Sequence, residues 1–321
     1  MKVLITGIAG FAGSYLAEEV LKKGDEVFGI CLACESLENV AKIKKQIRIL
    51  HEDITDLDQI SRRVKKINPD QIYHLAALSS VGESFSKPVE MIENNFRGTL
   101  NLLEIIRKLK WPTRILIAGS CDMYGIVKPE ETPIKEERSL LPVSPYGVSK
   151  AAGDLLAYQY FKSYGVNVIR ARAFNHTGPG QRTGFVIPDL ASQIARIEKS
   201  HLSPVLKVGN LSSQRDLSDV RDVVRAYTAL MAKGKAGEAY NICMQKAYSI
   251  EHMLNILCSL SKKRISIQID EKRNRPAEIP ILSGNNSKLK KATGWKPKIP
   301  IEKTLEDTLD YWRKKLMTND E

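Results

Sequence analysis

The sequence predicts an α/β protein built on a doubly wound parallel sheet, with a smaller α/β substrate-binding domain. Apolar runs of strand length alternate with helical patterns in the first half, glycines follow the first run directly, and the alternation breaks near residue 170. We expect strands over 2–6, 26–31, 47–51, 71–75, 114–118 and 166–170, and helices over 11–23, 57–67, 89–109 and 145–164. Ligands bind beyond the carboxyl ends of the strands in such sheets, so we expect the chemistry in the loops that follow them.

Beyond residue 170, loops rich in Gly, Pro and Asn alternate with helical patterns over residues 186–200, 220–232, 250–261 and 301–315. The sequence contains no repeat and no low-complexity linker. We therefore expect residues 1–170, with a returning segment of about residues 215–243, to form the sheet domain, and residues 171–214 and 244–321 to form the smaller domain.

The formal net charge of +12 raises the question of a nucleic-acid partner. The basic residues are scattered among acids along the helical patterns, and no basic stripe is interleaved with aromatics. We interpret the charge as a solvated surface that attracts a polyanionic ligand and not nucleic acid; a catalytically silent dinucleotide-sensing or nucleic-acid-associated protein is the alternative. No apolar run reaches the length of a membrane span, and the chain starts directly with a strand, so we expect a cytoplasmic protein without membrane contact.

Cys31 and Cys34 form a CxxC pair, a spacing that also occurs in redox and zinc sites. No second pair and no nearby pair of histidines completes a metal site, and the CxxC follows the second strand instead of opening a helix. We interpret both residues as reduced cysteines and expect no bound metal.

The glycine-rich segment after the first strand predicts a dinucleotide site. Gly7, Gly10 and Gly13 have GxxGxxG spacing and, with Phe11 and Ala12, lead into the first helix. This arrangement supplies a tight turn, a backbone that comes close to a pyrophosphate, and a helix N-terminus that favours the anion. The first domain is therefore predicted to be a Rossmann-type, NAD(P)-binding domain.

Further cofactor contacts are expected after the next strands. The second strand ends without the acid that favours NAD or the arginine that favours NADP, and Glu35 lies a little beyond it. The missing acid favours NADP(H), with NAD(H) possible. Asp53, followed by Ile54, is placed to accept a hydrogen bond from the adenine amine. Leu75, Ala76 and Ala77 end the fourth strand with mostly small residues, which lets the backbone approach the cofactor.

Ser120, Tyr146 and Lys150 form the predicted catalytic set. Tyr146 and Lys150 are four residues apart at the start of a helix, so the phenol and the ammonium share one face. A tyrosine can donate its proton to a carbonyl oxygen as hydride arrives, and we expect the lysine to stabilise the phenolate and lower its pKa. Ser120 ends the fifth strand and can hydrogen-bond the same oxygen. The YxxxK spacing occurs three more times, but only this copy opens a helix after the fifth strand.

With these residues in place, the chain resembles the extended short-chain dehydrogenase/reductase family of sugar-nucleotide epimerases, dehydratases and reductases. The resemblance covers nearly the whole sequence. Its segments are similar to the family's NxxGTxN, RxFNxxGP, RDFxxVxD, RPxE and GWxP motifs, and they begin here at Asn95, Arg172, Arg215, Arg275 and Gly294.

The resemblance implies roles for residues in these motifs. Asn95 is implied to bind the cofactor, Asn175 the sugar-nucleotide phosphates, and His176 is implied to lie near the nicotinamide. Arg215 is implied to clamp the pyrophosphate, which suits the bidentate geometry of arginine on phosphate. The contacts implied at the nucleotide end are Arg275 and Glu278. Members of the family are often homodimers, which implies the same association here.

Within the family, the GDP-mannose branch is the most similar, through residues 174–181 and 184–186 and through a loop implied to contact the sugar with Ser79, Ser80 and Ser84. This resemblance implies NAD(P)H-dependent reduction of the C4 keto group of GDP-4-dehydro-6-deoxy-D-mannose to GDP-6-deoxy-D-mannose (GDP-D-rhamnose). The stereochemistry at C4 stays open.

A 4,6-dehydratase or a nucleotide-sugar 4-epimerase is the alternative. The dehydratase uses a glutamate as a base where this chain has Asp122, which we place among the substrate contacts. A carboxylate that is one methylene shorter falls short by about an ångström, which costs on the order of a hundredfold in rate. The arginine-rich cofactor loop of that dehydratase is also absent after the second strand. Both departures favour a reductase.

Overall fold

The computed structural model describes residues 1–199, 203–270 and 279–318. Its strands are β1 (Lys2–Thr6), β2 (Glu26–Cys31), β3 (Ile47–His51), β4 (Gln71–His74), β5 (Arg114–Ser120), β6 (Val168–Ala173), β7 (His176–Thr177), β8 (Val205–Val208), β9 (Gln214–Asp216), β10 (Ser218–Asp219), β11 (Ala239–Ile242), β12 (Ala247–Ser249), β13 (Ser266–Ile269) and β14 (Ile281–Leu282). Its α-helices are α1 (Phe11–Leu21), α2 (Leu57–Ile67), α3 (Val81–Ser86), α4 (Pro88–Leu109), α5 (Pro145–Tyr164), α6 (Val186–Lys199), α7 (Val220–Lys233), α8 (Ile250–Ser259), α9 (Ser287–Thr293) and α10 (Ile301–Thr318). None of these described helices is long and apolar enough to cross a membrane.

A parallel sheet forms the centre of the fold and confirms the predicted fold class. Within the described residues it has seven strands in the order β11-β6-β5-β4-β1-β2-β3. The chain adds strands outward from β1 to β3 and then returns to place β4 on the other side of β1. This reversal between β1 and β4 is the position at which open α/β sheets bind their ligands.

The two faces of the sheet are covered by different helices. Helices α1 and α7 pack on one face through residues such as Leu16 and Leu230. Helices α2, α4 and α5 pack on the other through residues such as Ile60 and Leu102. Each of these side chains is fully buried, so hydrophobic burial on both faces holds the strands in place.

Strand β6 differs from its expected range because it starts later and continues to Ala173. Arg172 lies within it and is only 4% exposed, and its guanidinium donates to both carboxylate oxygens of Asp154 on α5, at 3.0 and 2.8 Å. Arg170 donates to the same carboxylate at 2.8 Å. The buried Asp154 carboxylate compensates the charges of Arg170 and Arg172, and the strand can therefore continue past two arginines that the sequence alone makes unfavourable inside a sheet. The longer strand carries the following residues, from Phe174 onward, to the carboxyl edge of the sheet.

A further apolar cluster lies outside the sheet and is formed by α6, α8 and α10, with Ile194, Leu254 and Leu305 fully buried. Strand β11 returns to the main sheet beside β6, and α7 packs against α1. The division into two domains, with the boundaries given above, stays a prediction.

Candidate active site

A cavity of about 730 Å³ lies at the carboxyl edge of the sheet, beyond the ends of the neighbouring strands β1 and β4, where the strand order reverses. Most of the residues that the sequence singles out line it. They are Gly7, Gly10, Phe11, Ala12, Gly13, Asp53, Ile54, Leu75, Ala76, Ala77, Ser79, Ser120, Asp122, Tyr146, Lys150, Asn175, His176 and Arg215. Residues from distant parts of the sequence therefore share one cavity, and their individual roles remain proposals.

The glycine turn fits the backbone of a dinucleotide. Gly7 has φ 73° and donates its N–H to the carbonyl of Ile30 at 2.8 Å. A Cβ atom at Gly7 would lie 2.8 Å from the backbone nitrogen of Ala76, and one at Gly13 would overlap the carbonyl of Gly7. Only glycine permits this turn and the close approach of α1 to β1, which aims the N-terminus of α1 into the cavity. These features fit a bound pyrophosphate.

A buried histidine behind the turn is a residue that the sequence analysis did not identify. His74 ends β4, and its Nδ1 lies 2.8 Å from Thr6 Oγ1 while its Nε2 lies 3.1 Å from Thr99 Oγ1. Thr6 Oγ1 also accepts the N–H of Ala76 at 3.2 Å. Burial, with a smaller contribution from the charge of Lys150, lowers the pKa of His74 to about 3, so this imidazole is neutral and ties β1, β4 and α4 together.

Asn95 does not line the cavity, in contrast to the expected cofactor contact. Its side chain is 4% exposed and pairs with both backbone polar groups of Leu78, at 2.8 and 3.0 Å, and it donates to Ser149 Oγ at 2.9 Å. The residue thus holds the loop after β4 against α5. On the same helix, Asn101 donates to the carbonyl of Ile54 at 3.0 Å and holds the loop after β3. The side chain that faces the cavity is the neighbouring Asn94.

Ser80 and Ser84 also lie away from the cavity lining, although a sugar contact was expected for each. The Ser80 hydroxyl caps α3 by accepting the N–H of Glu83 at 3.2 Å. Ser84 is fully buried and donates to the carbonyl of Val81 at 2.7 Å. Both hydroxyl groups are used to form the helix, whereas Ser79, just before it, lines the cavity.

The catalytic set is held by β5 and the start of α5. Ser120 ends β5, donates to Asp122 Oδ2 at 2.9 Å and accepts the N–H of Asp122 at 3.2 Å. Ser144 caps α5 by accepting the N–H of Gly147, which places Tyr146 and Lys150 on the first turns facing the cavity. The Lys150 ammonium donates to the carbonyl of Ala118 at 2.9 Å and lies 6.0 Å from the centre of the Tyr146 ring.

The electrostatics of Tyr146 differ from the sequence expectation. Burial raises its pKa well above the ordinary value, the charge of Asp122 raises it further, and a hydrogen bond with Ser120 opposes the shift. Burial also lowers the pKa of Lys150 to about 8. The expected lowering of the tyrosine pKa is not found in this arrangement, because burial and, after it, the charge of Asp122 raise the pKa. At neutral pH Tyr146 holds its proton, as a proton donor must.

The loop after β6 and strand β9 line a further part of the cavity, where the sequence predicts the substrate contacts. The amide oxygen of Asn175 lies 3.9 Å from the Cys121 thiol, and the His176 ring stacks on Phe11 with centroids 6.1 Å apart. Burial lowers the pKa of His176, so its imidazole is neutral. Arg215 lines the cavity and donates to the carbonyl of Ile279 at 2.7 Å. Arg275 and Glu278 lie outside the described residues.

Comparisons with known proteins show the family to which the chain belongs. The family model described as GDP-mannose 4,6 dehydratase matches residues 4–308. The chain is 37% identical over 248 residues to GDP-6-deoxy-D-mannose reductase of Pseudomonas aeruginosa, covering 77% of this chain and 82% of that protein. It is 32% identical over 342 residues to GDP-mannose 4,6-dehydratase of Yersinia enterocolitica, covering 94% and 91%.

Solved structures give the same result. The structure of RMD from Pseudomonas aeruginosa complexed with NADPH superposes with a TM-score of 0.85 at 32% identity and covers 98% of this chain and 99% of that chain. A Thermus thermophilus UDP-glucose 4-epimerase complex with NAD superposes with a TM-score of 0.87 at 29% identity, covering 98% and 99%. The resemblance to extended short-chain dehydrogenases is thereby confirmed, and the chain belongs to the GDP-mannose 4,6 dehydratase family.

Proposed function

We propose that the protein is an NAD(P)H-dependent reductase that converts the C4 keto group of GDP-4-dehydro-6-deoxy-D-mannose to the hydroxyl of GDP-6-deoxy-D-mannose (GDP-D-rhamnose). The observation that carries this proposal is a protonated Tyr146 beside Ser120 and Lys150 in a cavity that also contains the glycine turn. The reductase of Pseudomonas aeruginosa, at 37% identity, supports the same reaction.

The proposed mechanism needs one proton and one hydride. A reduced nicotinamide, when bound in the cavity, would supply the hydride for C4. Tyr146 donates its phenolic proton to the C4 oxygen as charge develops there, and Ser120 orients that oxygen by a hydrogen bond. The Lys150 ammonium stabilises the resulting phenolate, and a proton from solvent then regenerates the Tyr146 phenol.

We assign the two ends of the cavity to cofactor and substrate. Gly7, Gly10 and Gly13 lie at the pyrophosphate of the cofactor, with NADP(H) favoured and NAD(H) possible, in line with the NADPH complex of RMD. The GDP pyrophosphate lies between Asn175 and Arg215, where an arginine and an amide suit the diphosphate charge.

A 4,6-dehydratase is the second candidate, and one observation favours it. The Asp122 carboxylate accepts a hydrogen bond from Ser120 and lines the cavity, so a base lies beside the catalytic hydroxyl. A 4-epimerase would use the same scaffold. Both reactions regenerate their cofactor, whereas the proposed reductase consumes it.

The test measures cofactor oxidation and product together. Purified protein is incubated with GDP-4-dehydro-6-deoxy-D-mannose and either NADPH or NADH, and the product is analysed by NMR, which also resolves rhamnose from talose. Tyr146→Phe should lower the turnover number by about 10²–10⁴-fold. Tyr158→Phe is the matched control because Tyr158 belongs to another YxxxK pair on α5 and is 42% exposed.

The outcomes separate the candidates. Oxidation of either cofactor with an equal amount of reduced sugar supports the reductase. Conversion of GDP-mannose to the keto-sugar nucleotide without net cofactor consumption supports the dehydratase. No turnover with either reduced cofactor contradicts the proposal.

We also propose a homodimer formed by α4 and α5. These helices pack against each other, and each exposes a large apolar side chain, Val89 (66%) on α4 and Leu155 (56%) on α5. Exposed apolar side chains of this size suit burial against a second copy. Analytical ultracentrifugation of the wild type and of Leu155→Glu tests this, and a monomeric wild type contradicts it.

We place the reaction in the cytoplasm, where nucleotide sugars and reduced nicotinamide cofactors are available together. The proposed reaction supports this location, because it consumes one reduced dinucleotide in each turnover and therefore needs a continuous supply of that cofactor. Fractionation of cells with an antibody against the chain tests the location, and recovery in a secreted or membrane fraction contradicts it.

A further inference from the structure

The C-terminal end of α10 reaches the part of the cavity that is lined by the glycine turn and by the segment after β2, which we call the dinucleotide cradle. Lys315 on α10 lines the cavity, and its ammonium lies 2.9 Å from each carboxylate oxygen of Glu38, in the segment that follows β2. The next residue, Asn39, donates to the carbonyl of Ala9 in the glycine turn at 3.4 Å. Lys315 is therefore held beside the segment that in Rossmann-type domains contacts the adenosine ribose.

The charged residues near Lys315 show why its ammonium matters for binding an anion at this end of the cavity. The segment after β2 contributes Glu35 and Glu38 to the cavity lining, and Glu52 follows β3. Among the described lining residues, the other cations are Lys150, Arg182 and Arg215, which come from the catalytic and substrate sides of the cavity. A 2′-phosphate on the ribose needs a cation, and the charged residues that the segment after β2 contributes to the cavity lining are both acids.

We propose that Lys315 is the residue that binds the 2′-phosphate of NADP(H), and that Glu38 holds its ammonium in place until the phosphate replaces the carboxylate. This inference rests on the proposed nicotinamide cofactor. A phosphate with close to two negative charges competes well with a single carboxylate for one ammonium. Specificity for the phosphorylated cofactor then comes from the C-terminal helix and not from β2.

Glu38 makes the proposal testable in two directions. Removing the lysine removes the cation that pairs with the phosphate. Removing the Glu38 charge removes the carboxylate that competes with the phosphate for the Lys315 ammonium, and it also lessens the repulsion of the phosphate. Lys315→Met should therefore weaken binding of a 2′-phosphorylated ligand, and Glu38→Gln should strengthen it. Neither change should affect a ligand that lacks this phosphate.

The experiment is isothermal titration of the full chain with adenosine 2′,5′-bisphosphate and with 5′-AMP, which does not depend on turnover. For Lys315→Met we expect roughly a tenfold or greater loss of affinity for the bisphosphate and less than about a twofold change for 5′-AMP. Lys314→Met is the matched control because Lys314 is adjacent on α10, exposed, and outside the described cavity lining.

Each outcome decides the matter. A bisphosphate-specific loss in Lys315→Met with a gain in Glu38→Gln supports the proposal. Equal weakening of both ligands means that the ion pair only docks α10, which overturns it, as does an unchanged bisphosphate affinity. Glu38→Gln retains the lysine, so it gives an independent result if Lys315→Met folds poorly. Failure of the wild type to bind either nucleotide overturns the proposed cofactor site as well.

Discussion

Removal of the charge on Lys150 is the perturbation that tests the catalytic arrangement most directly. Burial lowers the pKa of this ammonium from 10.5 to about 8, and its hydrogen bond to the carbonyl of Ala118 holds it 6.0 Å from the Tyr146 ring centre. Tyr146 keeps its proton because burial raises its pKa. Above about pH 8 the enzyme therefore retains its proton donor but loses the cation that stabilises the phenolate.

This difference fixes the direction of the pH dependence. We expect kcat/KM for reduction to be level from about pH 6 to 7 and to fall about tenfold for each pH unit above the pKa of Lys150, because kcat/KM reports the free enzyme. Lys150→Arg keeps its charge to beyond about pH 12, so the decline near pH 8 should disappear, although the different geometry lowers the maximum rate.

The same pKa fixes the sign of the contribution to stability. The folded-state pKa of Lys150 lies below its ordinary value of 10.5, so between about pH 8 and that value the unfolded chain binds more protons. The free energy of unfolding therefore rises with pH through this window, and the full cost of the buried charge is present below it. A shift of this size corresponds to roughly 3 kcal/mol.

Lys150→Met separates activity from stability. The substitution removes the buried charge and also the hydrogen bond to Ala118, so we expect stability at neutral pH to rise on the order of 1 kcal/mol. The rate should fall about a hundredfold or more at every pH. Cofactor oxidation followed by near-ultraviolet absorbance and urea unfolding followed by fluorescence measure the two effects. A wild-type profile that stays level to about pH 10, or an unchanged decline in Lys150→Arg, would refute the reasoning.

Four further substitutions test the residues around the catalytic set and the cavity. Asp122→Asn should lower the pKa of Tyr146, because the carboxylate charge is second to burial in raising it. Reductase turnover should change less than about tenfold, whereas dehydratase turnover should fall about 10²–10⁴-fold if Asp122 is its base. Assays of both activities on one preparation decide between the two functions. Asn95→Leu leaves the partly buried backbone N–H and carbonyl of Leu78 without their side-chain partner, so we expect a loss of about 1–2 kcal/mol in urea unfolding together with weaker nucleotide binding. Asn94→Leu should weaken binding without that loss, and the same result for both variants would contradict the assignment. Asp154→Asn leaves the buried guanidinium of Arg172 and the partly buried guanidinium of Arg170 without their carboxylate partner, so we expect about 3–5 kcal/mol of destabilisation, and an unchanged urea midpoint would contradict the role of these ion pairs.

The core of the fold could be predicted from sequence because its signals are local. Strands β1, β2 and β3 and helix α2 have the expected bounds, since each is a short apolar run or a periodic helical run that the local sequence shows. The end of strand β6 could not be placed as well, because a charged Arg172 is unfavourable inside a buried strand unless its partner Asp154 is known. That partner lies on another element, and no local pattern shows the pairing.

The site could be predicted as a set of segments but less well as a set of contacts. A motif shows which segment approaches the cavity, but the helical phase decides which side chain enters it, and one position separates Asn94 from Asn95. Ser84 is directed into its own helix for the same reason. The approach of Lys315 to the cradle depends on how α10 packs, and the raised pKa of Tyr146 depends on burial, so both require the tertiary structure.

Helix α4 shows why a motif can matter without touching a ligand. Its Asn95 holds the loop after β4, its Asn101 holds the loop after β3, and a Cβ atom at Gly98 would lie 2.9 Å from the Ile54 side chain. These residues act from behind the cavity wall and fix the two loops that line it on the cofactor side. A cofactor bound between those loops depends on the packing of α4 as much as on the glycine turn. Substitutions in this motif should therefore lower stability and cofactor affinity together, whereas those at Lys315 should change affinity alone.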